Sequence, residues 1–155
     1  MASAPFDLER FLKAQELVYA DVIAELRAGH KRRHWMWFVF PQLKELGASE
    51  MARHYGLDGL AEATAYLQHP VLGERLRECT AIVNALDGAT AVGVFGMPDA
   101  LKFRSCMTLF ERVDGADTEF SRAMETYFGG ERDERTLSLV AGFNSGSTTR
   151  ARTDP

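Results

Sequence analysis

Residues 27–42 read Arg27-Ala28-Gly29-His30-Lys31-Arg32-Arg33-His34-Trp35-Met36-Trp37-Phe38-Val39-Phe40-Pro41-Gln42, a knot of cations running into a run of rings. From His34 to Phe40 there is almost no polar atom, so an exposed face here would be a sticky apolar patch. Such a run suits a buried strand or a buried helical turn, and periodicity does not separate the two. The surroundings favour a short helix. An isolated strand would leave its backbone N–H and C=O groups unpaired, and the neighbouring segments all carry a helical period. Pro41 disfavours helical geometry at Phe40, so the element should end there.

Working outward, the apolar positions recur at three- and four-residue steps almost throughout. Asp7 is an N-cap candidate for a stripe of Leu8, Phe11, Leu12 and Gln15, which resumes at Tyr19, Val22, Ile23 and Leu26 and stops at Gly29. One helix or two both fit. Ser49 caps a short helix through Met51 and Ala52 that stops at Gly56. Leu60, Ala63, Thr64 and Leu67 form a stripe ending at His69-Pro70. Pro70 suits the first turn of the next, with Leu72, Leu76, Cys79, Val83 and Leu86 before Gly88. Pro98 opens another with Phe103, Cys106, Met107, Phe110 and Val113 on one face. Phe120, Met124, Tyr127 and Phe128 mark a helix stopped by Gly129-Gly130, and a last one from about Asp133 buries Leu137 and Val140. Hairpin dipeptides between alternating runs are missing. The expectation is an all-α, compact single-domain bundle of about six to eight short, irregularly packed helices over residues 6–142. Residues 1–5 and 143–155 are read as a disordered start and a flexible tail.

The 155 residues are the length of one domain, and roughly 70% of the unfolded surface can be buried without a metal or disulfide staple. Hydrophobic residues at 46% and charged residues at 26% exclude collagen-like, fibrous and wholly disordered classes. Two cysteines, Cys79 and Cys106, are too few for a disulfide framework or a four-thiolate zinc site. With no leader-like start and no long apolar run, the reading is a cytoplasmic protein without a membrane segment. A net charge of −4 argues against duplex DNA as partner. Yet Arg27, Lys31, Arg32 and Arg33 fall together with no acid among them, so an acidic body carries one basic knot.

The segment from Arg27 to Gln42 resembles the signature of a bacterial family catalogued as domain of unknown function 1810. Further matching pieces are Asp7-Leu8-Glu9-Arg10-Phe11, Ala65 through Gly73, and Lys102 through Phe110 (KFRSCMTLF), spanning about residues 6 to 141. The resemblance implies a compact, mainly α-helical fold and carries no activity with it. His30 stands where the family pattern suggests another cation. Cys106 stands where serine is more usual, which argues against a catalytic thiol.

Nucleophilic and metal chemistry find little support in the residues. Both cysteines fall on apolar stripes, where a thiol stays protonated, and Ser105 lacks a GxSxG elbow. His30, His34, His54 and His69 form no metal-ligand motif, and the cations between His30 and His34 would repel a metal. No metal and no cofactor is expected. What remains is an anion-and-ring site. Lys31 and His34 lie beside Trp35 and Trp37, and Lys102 and Ser105 are neighbours on one helix face bordered by Thr108. Gln42, just after Pro41, either satisfies a backbone group at that stop or adds an amide to the site. Should these faces meet across a cleft, they would hold an anionic group and a flat ring, which points to a phosphorylated or nucleotide-like small molecule. His34 would then be the residue suited to proton transfer near neutral pH. Whether chemistry follows binding is left open, as is oligomeric state. The competing expectations are a protein-interaction module using exposed Trp35 or Trp37, and a single-stranded nucleic-acid binder.

Overall fold

The N-terminal stripe divides into two helices, α1 (Glu9–Glu16) and α2 (Tyr19–Arg27), because Val18 leaves helical geometry at φ −130° and ψ 0°. The computed structural model describes residues 6–144 of the chain. Asp7 does not cap α1; Leu8 holds that position without a side-chain cap, and the Asp7 carbonyl accepts from the Arg10 guanidinium instead. The chain continues through α3 (Met36–Val39), a single 3₁₀ turn (Lys44–Leu46), α4 (Glu50–Tyr55) and α5 (Gly59–Gln68). Then come α6 (Leu72–Ala85), α7 (Ala91–Phe95), α8 (Asp99–Asp114), α9 (Glu119–Phe128) and α10 (Glu134–Asn144). Among the described residues this makes ten α-helices and no strand, more helices than the six to eight expected. The N-terminal pair is separate, and five-residue α7 is too short to show an apolar period. An isolated parallel bridge joins Leu43 to Leu57.

The aromatic run is one helical turn, and it leaves helical geometry at Phe40 (φ −122°, ψ 71°), directly before Pro41. A single turn cannot satisfy its own carbonyls. Buried Gln15 of α1 solves this for Phe38, donating from Nε2 to its carbonyl oxygen at 2.7 Å while its own carbonyl accepts from Arg75 at 3.2 Å. A polar residue on an apolar stripe thus has a structural task. Trp35, Met36, Phe38, Val39 and Phe40 are all buried, and Trp37 partly so. Phe40 stands edge-on to Phe95 and Phe103, at 5.7 and 5.1 Å between centroids, and those two rings stack at 4.6 Å. Helix α8, carrying Phe103, packs against α5, α7, α9 and α10, so the core is organised around it.

Helix ends follow ordinary capping chemistry. Ser49 Oγ accepts from the Ala52 N–H and opens α4 as expected, and Thr90 does the same for α7. A reciprocal Thr118–Ser121 box opens α9, and Gly129 closes it in the left-handed region. Pro70 and Pro98 sit just ahead of α6 and α8, outside their first turns. His69 Nδ1 accepts from the Val71 and Leu72 N–H groups, the turn-and-cap role its place before Pro70 suggests. Helix α10 runs to Asn144 and so takes in the first two residues of the expected tail; the expectations for 1–5 and 145–155 lie outside the described residues.

Candidate functional site

The Arg32–Arg33 end of the basic knot is held by one carboxylate. Glu25, on α2 and 4% exposed, accepts from the Arg32 and Arg33 backbone N–H groups, from the Arg33 guanidinium, and from Trp35 Nε1 at 2.8 Å. Burial pushes this carboxyl up, but the hydrogen bonds outweigh it and bring its pKa from 4.5 down to about 2. The loop before α3 is therefore pinned to α2. Arg32 and His34 point outward, both exposed.

Lys31 takes the opposite course and turns inward. Its side chain is 8% exposed, lies 5.3 Å from the Trp35 ring centre, and pairs with Asp99 at 2.9 Å. Asp99 belongs to the first turn of α8 and also pairs with Lys102 at 3.4 Å, whose ammonium lies 5.0 Å from the Trp37 ring centre. Trp35, Lys31, Asp99, Lys102 and Trp37 form a continuous ladder of rings and charges. Two cations share one carboxylate there, so the ladder is net positive.

On the Lys102 side a cleft of about 380 Å³ opens between the 46–52 segment and α8. One wall is apolar, made by Leu46, Ala48 and Ala52; the other carries Pro98, Leu101, Lys102 and Ser105. Within the wall from 44 to 56, two glycines let the 3₁₀ turn and α4 pack closely on each other. A Cβ on Gly47 would come within 2.3 Å of the Ala52 Cβ, and one on Gly56 within 2.3 Å of the Lys44 Cα. Asp133 and Arg135 line the remaining edge, with Arg135 donating to the Glu45 carbonyl at 3.2 Å. Asp133 Oδ2 is engaged by Thr136, whose N–H donates at 2.9 Å as at a helix cap, and Oδ1 lies 3.8 Å from Arg104. Counting the ladder, Lys31, Lys102, Arg104 and Arg135 face Asp99 and Asp133 around an otherwise acidic molecule.

A narrow inner gap of about 10 Å³ adjoins this cleft, with Gln42, Ala52 and Lys102 lining both. Trp37 lines the gap, and its buried indole N–H has no hydrogen-bond partner.

Of the residues singled out from sequence, Trp37, Gln42, Lys102 and Ser105 come together at the cleft or its inner gap. Lys31 reaches it only through Asp99. Three others stand apart. Trp35 is 1% exposed and spends its N–H on Glu25. His34 is exposed and lines none of the described hollows, since the Glu25-anchored loop turns it outward. Thr108 is fully buried, donating to the Arg104 carbonyl at 2.8 Å and accepting from the Asp133 N–H at 3.0 Å, so it fixes the start of α10. Arg135 and Asp133 were not legible as site residues; the Asp133 capping position was the available signal. Ser105 Oγ donates to the Leu101 carbonyl at 3.1 Å and keeps its lone pairs.

The thiols are as inert as their stripes suggest. Burial pushes Cys79 up to about 12 and Cys106 well above its ordinary value of 9.0. Among the described residues no cluster of three His, Cys, Asp or Glu could hold a metal ion. None of the described helices is long and apolar enough to cross a membrane. Another hollow, of about 430 Å³ beside Arg10 and His54, is less available, because Arg10 is already spent on the Asp7, His54 and Gly56 carbonyls and on Glu62.

Curated proteins provide no match. Among solved structures, this chain is similar to the conserved hypothetical protein Rv1873 from Mycobacterium tuberculosis, with 54% sequence identity and a TM-score of 0.87. The alignment covers 89% of this chain and 99% of that one. The family described as "Protein of unknown function (DUF1810)" matches residues 5–140, from ahead of α1 into α10, and the chain belongs to that family.

Proposed function

We propose that the protein binds a small anionic molecule with a flat body in the cleft between residues 46–52 and α8. The carrying observation is Lys102, which lies over the Trp37 ring, shares its counter-ion with Lys31, and lines both the cleft and its inner gap. A cation only partly neutralised in this way favours an added anion, and Arg135 adds a planar, five-donor group at the cleft edge. The volume of about 380 Å³ falls within the usual range for small-molecule sites. These groups support binding alone, since Asp133 is engaged as a cap and the Ser105 hydroxyl is donated to the Leu101 carbonyl.

A thermal-shift panel of nucleoside monophosphates, sugar phosphates and aryl carboxylates tests this, with Lys102→Ala and Arg135→Ala beside the parent. At least one class should raise the parent melting temperature, and Lys102→Ala should weaken its binding by about tenfold or more, as loss of a charge-assisted hydrogen bond does. No shift in the parent, or an unchanged response in both variants, overturns the reading.

A further inference from the structure

The indole N–H of Trp37 is a buried donor without an acceptor, and such a group costs free energy unless something arrives to pair with it. Trp37 lines the narrow gap together with Met36, Phe40, Ala52 and Tyr55, so the gap is mostly apolar. At about 10 Å³ the gap admits a group the size of one heavy atom and no more. It adjoins the larger cleft through Lys102 and Gln42. The cleft exposes more apolar than polar surface, supplied by Leu46, Ala48, Ala52, Pro98 and Leu101. A sugar phosphate would strand several hydroxyls against that wall, whereas a ring would not.

Resting on the binding reading above, we infer that the ligand is an aromatic acid carrying one hydrogen-bond acceptor on its ring, which enters the inner gap and accepts from Trp37 Nε1. The acid group meets Lys102 and Arg135, the ring lies against the apolar wall, and the acceptor atom selects among acids of equal size and charge. Selection by such a donor is strong in principle, because an analogue lacking the acceptor leaves the N–H buried and unpaired.

Benzoate, nicotinate and isonicotinate share shape and charge and differ in a single ring atom, so they isolate this contact. Calorimetric titration of the parent at neutral pH should show one of the two pyridine acids binding about tenfold tighter than benzoate. In Trp37→Phe, which keeps a ring and removes the donor, the ratio of pyridine-acid to benzoate affinity should fall to about one. A readout in the parent alone keeps the test independent of variant folding. The two indole N–H resonances of Trp35 and Trp37 are distinct probes in a nitrogen-15 correlation spectrum, and only one should move downfield with the preferred pyridine acid. Glu25 already holds the other.

Equal binding of all three acids, or an unmoved pair of indole signals at saturation, overturns the inference. If phosphate esters bind through Lys102 and none of the acids does, the aromatic-acid inference fails while the anion site stands. If no probe of either class binds, both fail.

Discussion

Glu25 illustrates how much one side chain can organise. It is buried, yet four donors converge on it and hold the loop that carries Lys31 and Trp35. Its folded-state pKa of about 2 lies below the 4.5 of a free carboxyl, so the native state prefers the ionised form. That preference stabilises the fold fully above about pH 4.5 and is lost as the pH falls toward 2, a contribution on the order of 3 kcal/mol. Urea denaturation of the parent and Glu25→Gln should therefore differ by about 3 kcal/mol at pH 7, with the gap narrowing steadily between pH 5 and 2.5. A gap that is constant across this range would show that ionisation is not what Glu25 contributes. Nothing in sequence marked this residue. Its partners lie seven to ten positions away, across a loop whose path no periodicity describes.

Among the elements, long amphipathic ones were legible because their burial repeats with the helical period. Helix α8 is the example, with Phe103, Cys106, Met107 and Phe110 all fully buried as their spacing predicts. Two of the short ones were not. Helix α7 and the Lys44–Leu46 turn are held by tertiary contacts and a threonine cap, and they contribute too few turns to display a stripe. The turn and α4 together form the apolar wall of the cleft, and their approach depends on Gly56. It has ordinary extended geometry at φ −69° and ψ 143°, so its requirement is space alone. A methyl there would meet the Lys44 Cα at 2.3 Å and the Ala52 carbonyl oxygen at 2.7 Å, both backbone atoms that cannot step aside. Gly56→Ala should cost about 3 kcal/mol in chemical denaturation and also weaken anion binding, since the wall must shift. Loss of stability with unchanged binding would separate this wall from the site.

For the molecule as a whole, the relevant contrast is between a net charge of −4 and a cleft edged by cations. Attraction between exposed charges is screened as the Debye length falls from about 10 Å at 0.1 M salt to about 3 Å at 1 M. Anion affinity should accordingly drop several-fold between 50 mM and 500 mM sodium chloride, with a shallower dependence in Lys102→Ala. Titration calorimetry at three salt concentrations measures both slopes. A salt-independent affinity in the parent would mean that neither Lys102 nor Arg135 contacts the ligand.

At this scale the division of information is plain. The all-helical architecture, the burial of most of the aromatic run and the inert cysteines were written in the order of residues, because burial, capping and backbone pairing are local or periodic requirements. The membership of the cleft was not. Lys102 and Trp37 are 65 positions apart in the numbering yet in contact, while Trp35, two positions from Trp37, is sealed away on Glu25. Which of two adjacent indoles keeps a free donor depends on where a distant carboxylate lands, and only packing of α2 and α8 around the 27–42 segment decides that.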